Sequence, residues 1–155
     1  MGQNRTALGT ASREGHLDIV KFLLDRGVDA NVTGGDYGTA LGAAASRGKL
    51  GIAKLLLDRG ADVNLPNGNC GTALATAAWG GDFMWIDCWG WEDYWEASRE
   101  LEVVTLLLDR GASVNLTGSE CGTALGVASY WSKLDTVALL LDRPGHETRC
   151  LETAW

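Results

Sequence analysis

The sequence predicts an all-α solenoid of four helix pairs joined by short hairpin-like fingers. The first observation is internal repetition. The block GTALGAAASRGKLGIAKLLLDRGADVN at 38–64 recurs at 5–32 as RTALGTASREGHLDIVKFLLDRGVDANV and at 122–143 as GTALGVASYWSKLDTVALLLDR. A further copy is split between GTALATAAWGGD at 71–82 and LEVVTLLLDRGASVN at 101–115. The second observation is register. Thr6, Thr39, Thr72 and Thr123 step by 33, 33 and 51 residues, and Asp25, Asp58, Asp109 and Asp142 by 33, 51 and 33, so 18 extra residues lie inside the third copy. Self-similarity at a fixed period marks a stacked array of one supersecondary unit. The units span about residues 5–37, 38–70, 71–121 (with the insertion at 83–100) and 122–143, and residues 144–155 form a C-terminal tail.

Each unit contains two short apolar stripes. Thr39 is placed to cap the first helix by accepting an orphan N–H, with Ala40 as its first residue. Leu41, Ala44 and Ala45 follow at i, i+3 and i+4, and the alanines let neighbouring inner helices approach closely. Gly48 is expected to end that helix, because glycine adopts the left-handed conformation without a Cβ clash. The outer helix carries Ile52, Leu55 and Leu56 inward, and Gly60 stops it. Asp18, Glu102 and Asp135 sit near the start of the corresponding helices, where a negative charge suits the dipole. Val63 and Asn64 are expected to begin an extended link. Thr33–Tyr37, Leu65–Cys70 and Thr117–Cys121 are turn-rich, as fingers require. Pro144 replaces the expected glycine after Arg143 and halts the array.

The repeat resembles the ankyrin repeat, whose signature is a Thr-Pro-Leu-His-x-Ala start at a 33-residue period. Thr6-Ala7-Leu8-Gly9-Thr10-Ala11 and its three equivalents carry the resemblance, as does the run from Gly15-His16-Leu17 through Leu23-Leu24 to Gly27 and Asn31. Alanine stands where the family has proline, and glycine or alanine where it has histidine, so the family's Thr–His hydrogen bond is missing. In this the chain resembles the long ankyrin arrays of filamentous fungi. The resemblance implies a non-catalytic protein–protein interaction module that binds through the concave face and the fingers. Carried over by position, the inner-helix sites are Thr10, Arg13 and Glu14; Ala43, Ser46 and Arg47; Thr76, Trp79 and Gly80; Val127, Tyr130 and Trp131. With Tyr37 of the first finger, the residues expected to bind a partner are Arg13, Glu14, Tyr37, Arg47, Trp79, Tyr130 and Trp131. The three rings Trp79, Tyr130 and Trp131 stand out, since aromatics are enriched at binding hot spots.

Composition narrows the partner. A net charge of −7 argues against a nucleic-acid surface, which needs clustered Lys and Arg. No run of 18 apolar residues spans a membrane, and no signal peptide opens the chain. A cytoplasmic location is expected, or a nuclear one. Thr6 completes Met1-Gly2-x-x-x-Thr6, formally a lipidation signal, but its repeat position reads as a helix cap. Cys70 and Cys121 hold equivalent places in successive units about 8–10 Å apart, beyond the ~7 Å limit for a disulfide, so reduced thiols are expected. The two cysteines lack Cys-x-x-Cys partners and make no metal site. No phosphate loop, dinucleotide fingerprint or His-Glu-x-x-His occurs. The histidines, His16 in an interhelical turn and His146 in the tail, have no argued pocket. No catalytic residue, cofactor or enzyme activity is expected.

Two further expectations concern organisation. The abrupt start at Thr6 and the lack of polar end caps favour, as an alternative, a sensor or regulatory fragment of a larger receptor-like or enzyme-bearing protein. The insertion FMWIDCWGWEDYWEASRE holds four of the seven tryptophans and no leucine. Either it is a retained intron translated in frame and dispensable for the fold, or its acidic and aromatic residues grip a partner. Tyr94, Ala97, Leu101, Val104 and Leu108 recur at helical steps, which would lengthen the outer helix backward by two turns.

Overall fold

The computed structural model describes residues 6–35, 37–66, 71–79, 97–117 and 122–143. Eight helices occupy them: α1 (Ala7–Glu14), α2 (Leu17–Asp25), α3 (Ala40–Ser46), α4 (Leu50–Asp58), α5 (Ala73–Trp79), α6 (Ala97–Asp109), α7 (Ala124–Tyr130) and α8 (Leu134–Leu141). The odd-numbered inner helices pack on one another in chain order, and each even-numbered outer helix packs on its own inner partner and on its outer neighbour. Among the described residues there is no strand; Thr33 and Thr39 form an isolated antiparallel bridge at the base of the first finger.

The threonine register has a local cause. Each threonine hydroxyl accepts from the backbone N–H three residues on: Gly9 to Thr6 at 3.0 Å, Gly42 to Thr39 at 3.0 Å, Ala75 to Thr72 at 3.2 Å and Gly126 to Thr123 at 3.1 Å. This satisfies a donor that a helix otherwise leaves orphaned. No histidine stands at that third position in any of the four units. A Cβ on Gly9 would come within 2.8 Å of the Thr6 oxygen; Ala75, which carries one at the equivalent position, has the longest of the four cap bonds, 3.2 Å.

The inner helix ends by a bond that skips a turn: His16, Lys49 and Lys133 donate their N–H to Ala11, Ala44 and Ala128, each at 2.9 Å. That closure needs a left-handed residue just before it. Gly15 (φ 88°) and Gly48 (φ 59°) supply it as expected, but in the fourth unit Ser132 holds φ 56°. A side chain there costs about 1 kcal/mol.

The core is a seam of small residues between larger ones. All seven residues of α3 are buried, as are Ala73 through Ala78 of α5, because each of these helices has a neighbour on both sides. Leu41, Leu56, Leu74, Leu107 and Leu140 are fully buried and tie the inner row to the outer row.

One expectation changes. Val63 and Asn64 form a turn rather than an extended link, held where the Asp62 carboxylate accepts from the Asn64 N–H at 2.9 Å. Asp29 does the same for Asn31 at 2.9 Å. These Asx turns aim the asparagine side chains into the next unit. The Asn31 amide donates to Gly60 O (3.2 Å) and accepts from Asp62 N (2.8 Å), while that of Asn64 donates to Gly111 O (3.2 Å) and accepts from Ser113 N (2.8 Å).

The expected backward extension of the outer helix through the insertion is described only in part. Residues 83–96 of the insertion lie outside the described part, including Tyr94 and the four tryptophans. Its last four residues, 97–100, are helical and make α6 one turn longer than α4. That turn is built into the stack. The Lys133 ammonium meets the Glu100 carboxylate at 2.6 Å with both side chains largely covered, and the Cβ of Arg99 lies 3.2 Å from where a Cβ on Gly48 would stand.

Candidate protein-binding face

The inner helices end in the residues singled out for binding, and the stack sorts them into two groups. Near α1, Arg13 is half-buried and Glu14 exposed. Their side chains pair at 3.3 Å, and the Arg13 guanidinium lies 5.7 Å from the Tyr37 ring centre. A rigid aromatic from the first finger thus meets a cation from the first inner helix. Thr6, Gly9, Thr10, Arg13, Tyr37 and Ala43 line a dimple of about 30 Å³ between them. That is room for about one water molecule. Arg47, one unit on from Glu14, is half-buried.

The second group is aromatic. Trp79 closes α5 and is half-buried; Tyr130 closes α7 and is 81% exposed; Trp131 follows at 43%. Tyr130 and Trp131 stack edge to face, with centroids 5.4 Å apart and planes at 81°. Such a pair holds two large rings in one geometry before any partner arrives. Trp79 and Tyr130 occupy the same repeat position in adjacent units, and α5 packs directly on α7, so the rings belong to one edge of the inner row.

Four of the expected face positions do not reach the surface. Ala43, Ser46, Thr76 and Val127 are exposed by 3%, 2%, 0% and 6%. The series Thr10–Ala43–Thr76–Val127 points along the stack into the seam between inner helices, and Thr10 is exposed because no described unit precedes it. Ser46 turns its hydroxyl inward to Ala43 O at 2.8 Å, and Thr76 to Thr72 O at 2.9 Å. Gly80 lies outside the described residues, as do all four cysteines and His146. His16 is exposed at the start of α2 and makes no side-chain capping bond.

The outer row carries features that periodicity alone did not disclose. Arg59, Arg110 and Arg143 reach back one unit to Asp25, Asp58 and Asp109 at 2.7, 2.7 and 2.6 Å. The signal was present in every Leu-Leu-Asp-Arg run, but which unit each arginine meets depends on the stacking. Among the described residues, no helix is long and apolar enough to cross a membrane.

Stacked helix pairs with capping threonines, an alanine seam and asparagine pins between turns define a tandem-repeat solenoid. The family model for ankyrin repeats, in three copies, matches residues 1–67. By that match residues 1–67 carry ankyrin repeats, and ankyrin repeats are generally protein–protein interaction modules and typically non-catalytic. No curated protein matches it.

Proposed function

We propose that this chain is a non-catalytic recognition module that binds a protein partner through the inner-helix edge and the first finger. The rings of Trp79, Tyr130 and Trp131 form its centre. The observation that carries this is the exposure of Tyr130 and Trp131 in a fixed edge-to-face pair at the end of α7. Two exposed, mutually oriented aromatics beside a third are the kind of surface that anchors an interface, because large rings cover much area while losing little side-chain entropy. Arg13, Glu14, Tyr37 and Arg47 extend the face toward the first unit with charged and hydrogen-bonding groups suited to a polar rim. The excess of acidic residues in the chain favours a protein partner over nucleic acid.

The units are assigned as 5–37, 38–70, 71–121 and 122–143, with 83–100 inserted in the third and 144–155 as a tail. The test is affinity capture with the intact array, repeated with Trp79→Ala, Tyr130→Ala and Trp131→Ala combined. Loss of roughly 2 kcal/mol or more of binding is expected, with helical circular dichroism unchanged. Equal capture by the folded triple variant would overturn the proposal.

A further inference from the structure

Within the stack, one interface is built three times on the outer row. Its upstream half is an aspartate at the end of an outer helix; its downstream half is an arginine one unit on, giving the pairs Asp25–Arg59, Asp58–Arg110 and Asp109–Arg143. The apolar part lies beside it. Ile52, Val103 and Thr136 occupy the same position of α4, α6 and α8 and are exposed by 3%, 0% and 6%, because each faces the unit before it.

The described stack leaves one half of this interface open at each end. At the α1–α2 end, Ile19 holds the position of Ile52 but is 49% exposed, and Phe22 beside it is 56% exposed. Arg26 holds the position of the three ladder arginines; its guanidinium lies over the Phe22 ring at 4.7 Å, and it has no carboxylate partner among the described residues. At the α7–α8 end, Leu141 is 36% exposed, whereas its equivalents Leu24 and Leu108 are 8% and 9% and Leu57 is half-buried. Asp142 holds the position of the ladder aspartates, is exposed, and has no cationic partner among the described residues.

From these two open halves we infer that the chain stacks end to end with a second copy of itself, the α1–α2 end of one molecule docking on the α7–α8 end of another. Arg26 of one copy pairs with Asp142 of the next, adding the missing rung to the ladder. Ile19 and Phe22 cover the apolar surface around Leu141. The occupant is a second copy because the two surfaces match in charge, in apolar character and in repeat position. Both are carried by the same molecule, and together they reproduce an interface the chain already forms internally. The contact is heterologous, so association grows by successive addition rather than closing at a two-fold dimer. Its ion pair and apolar residues lie on or just after the outer helices α2 and α8, whereas Trp79 ends the internal helix α5.

Sedimentation of the intact chain over a concentration series tests it. The weight-average mass is expected to rise with concentration. Arg26→Asp and Asp142→Arg, each placing like charges at the junction, are expected to weaken association by about tenfold or more. Combining them in one chain reverses the polarity of both ends and should restore association to within about threefold of wild type. Ile19→Lys, at an exposed position that leaves the core untouched, should abolish association, and Trp79→Ala should leave it unchanged. A mass that stays at one chain up to the solubility limit overturns the inference. So does association of folded single variants equal to wild type, or a double variant that does not recover.

Discussion

Asparagine side chains, rather than the ion pairs, are expected to make the stronger polar links between units, and Asn64→Ala measures this directly. In the folded chain the Asn64 amide holds both Gly111 O and Ser113 N, at 3.2 and 2.8 Å. An ordinary hydrogen bond contributes about 0.5–1.5 kcal/mol net. The bond to Ser113 N is half-buried, and the one to Gly111 O is exposed, where water replaces much of what is lost. The expected cost is therefore about 1–2 kcal/mol. In a domain of this size that lowers the melting midpoint by roughly 3–8 °C. Urea unfolding followed by far-ultraviolet circular dichroism gives the free energy. An unchanged denaturant slope would show that the array still unfolds as one unit. Asn31→Ala is a milder counterpart: its two bonds to Gly60 O and Asp62 N have the same lengths but are both exposed, so a smaller loss is expected. By contrast, Asp58→Ala removes only an exposed ion pair, worth about 0–1 kcal/mol. A loss below about 0.3 kcal/mol for both asparagine variants would refute the idea that these side chains pin the units.

Three other changes probe places where one unit departs from its neighbours. Ser132→Gly should stabilise by about 0.5–1 kcal/mol, because it relieves a left-handed side chain where the first two units carry glycine; a destabilised variant in thermal melts would contradict this. Ser12 is fully buried and its hydroxyl has no hydrogen-bond partner among the described residues, while alanine fills the same position at Ala45 and Ala78. Ser12→Ala is accordingly expected to stabilise by about 1 kcal/mol, and a loss of that size in urea titration would show the hydroxyl to be needed. Glu100→Ala should cost about 1–2 kcal/mol by leaving the covered Lys133 ammonium without its carboxylate. Deletion of 83–100 should therefore be less stable than deletion of 83–96, and the reverse order would mean that the extra turn of α6 is idle.

The repeat architecture was legible in the sequence because its determinants are local. A threonine three residues before its donor, alanines and leucines at helical spacing, and a glycine at the left-handed position act within one unit. Four copies then repeat the message. The pairing of Tyr130 with Trp131 is local too, since the rings are adjacent in the chain. What the stacking alone decided was which copy of a residue is covered. Arg13, Ser46, Trp79 and Tyr130 hold one repeat position, yet range from buried to 81% exposed. Ile19 and Ile52 are the same residue type in the same register, one half exposed and one sealed. Their own sequence neighbourhoods cannot separate them, because burial depends on whether another unit lies alongside. The asparagine pins and the aspartate–arginine ladder arise in the same way. Their partners lie 29 to 52 residues away and come within hydrogen-bonding distance only when one turn is set above the next.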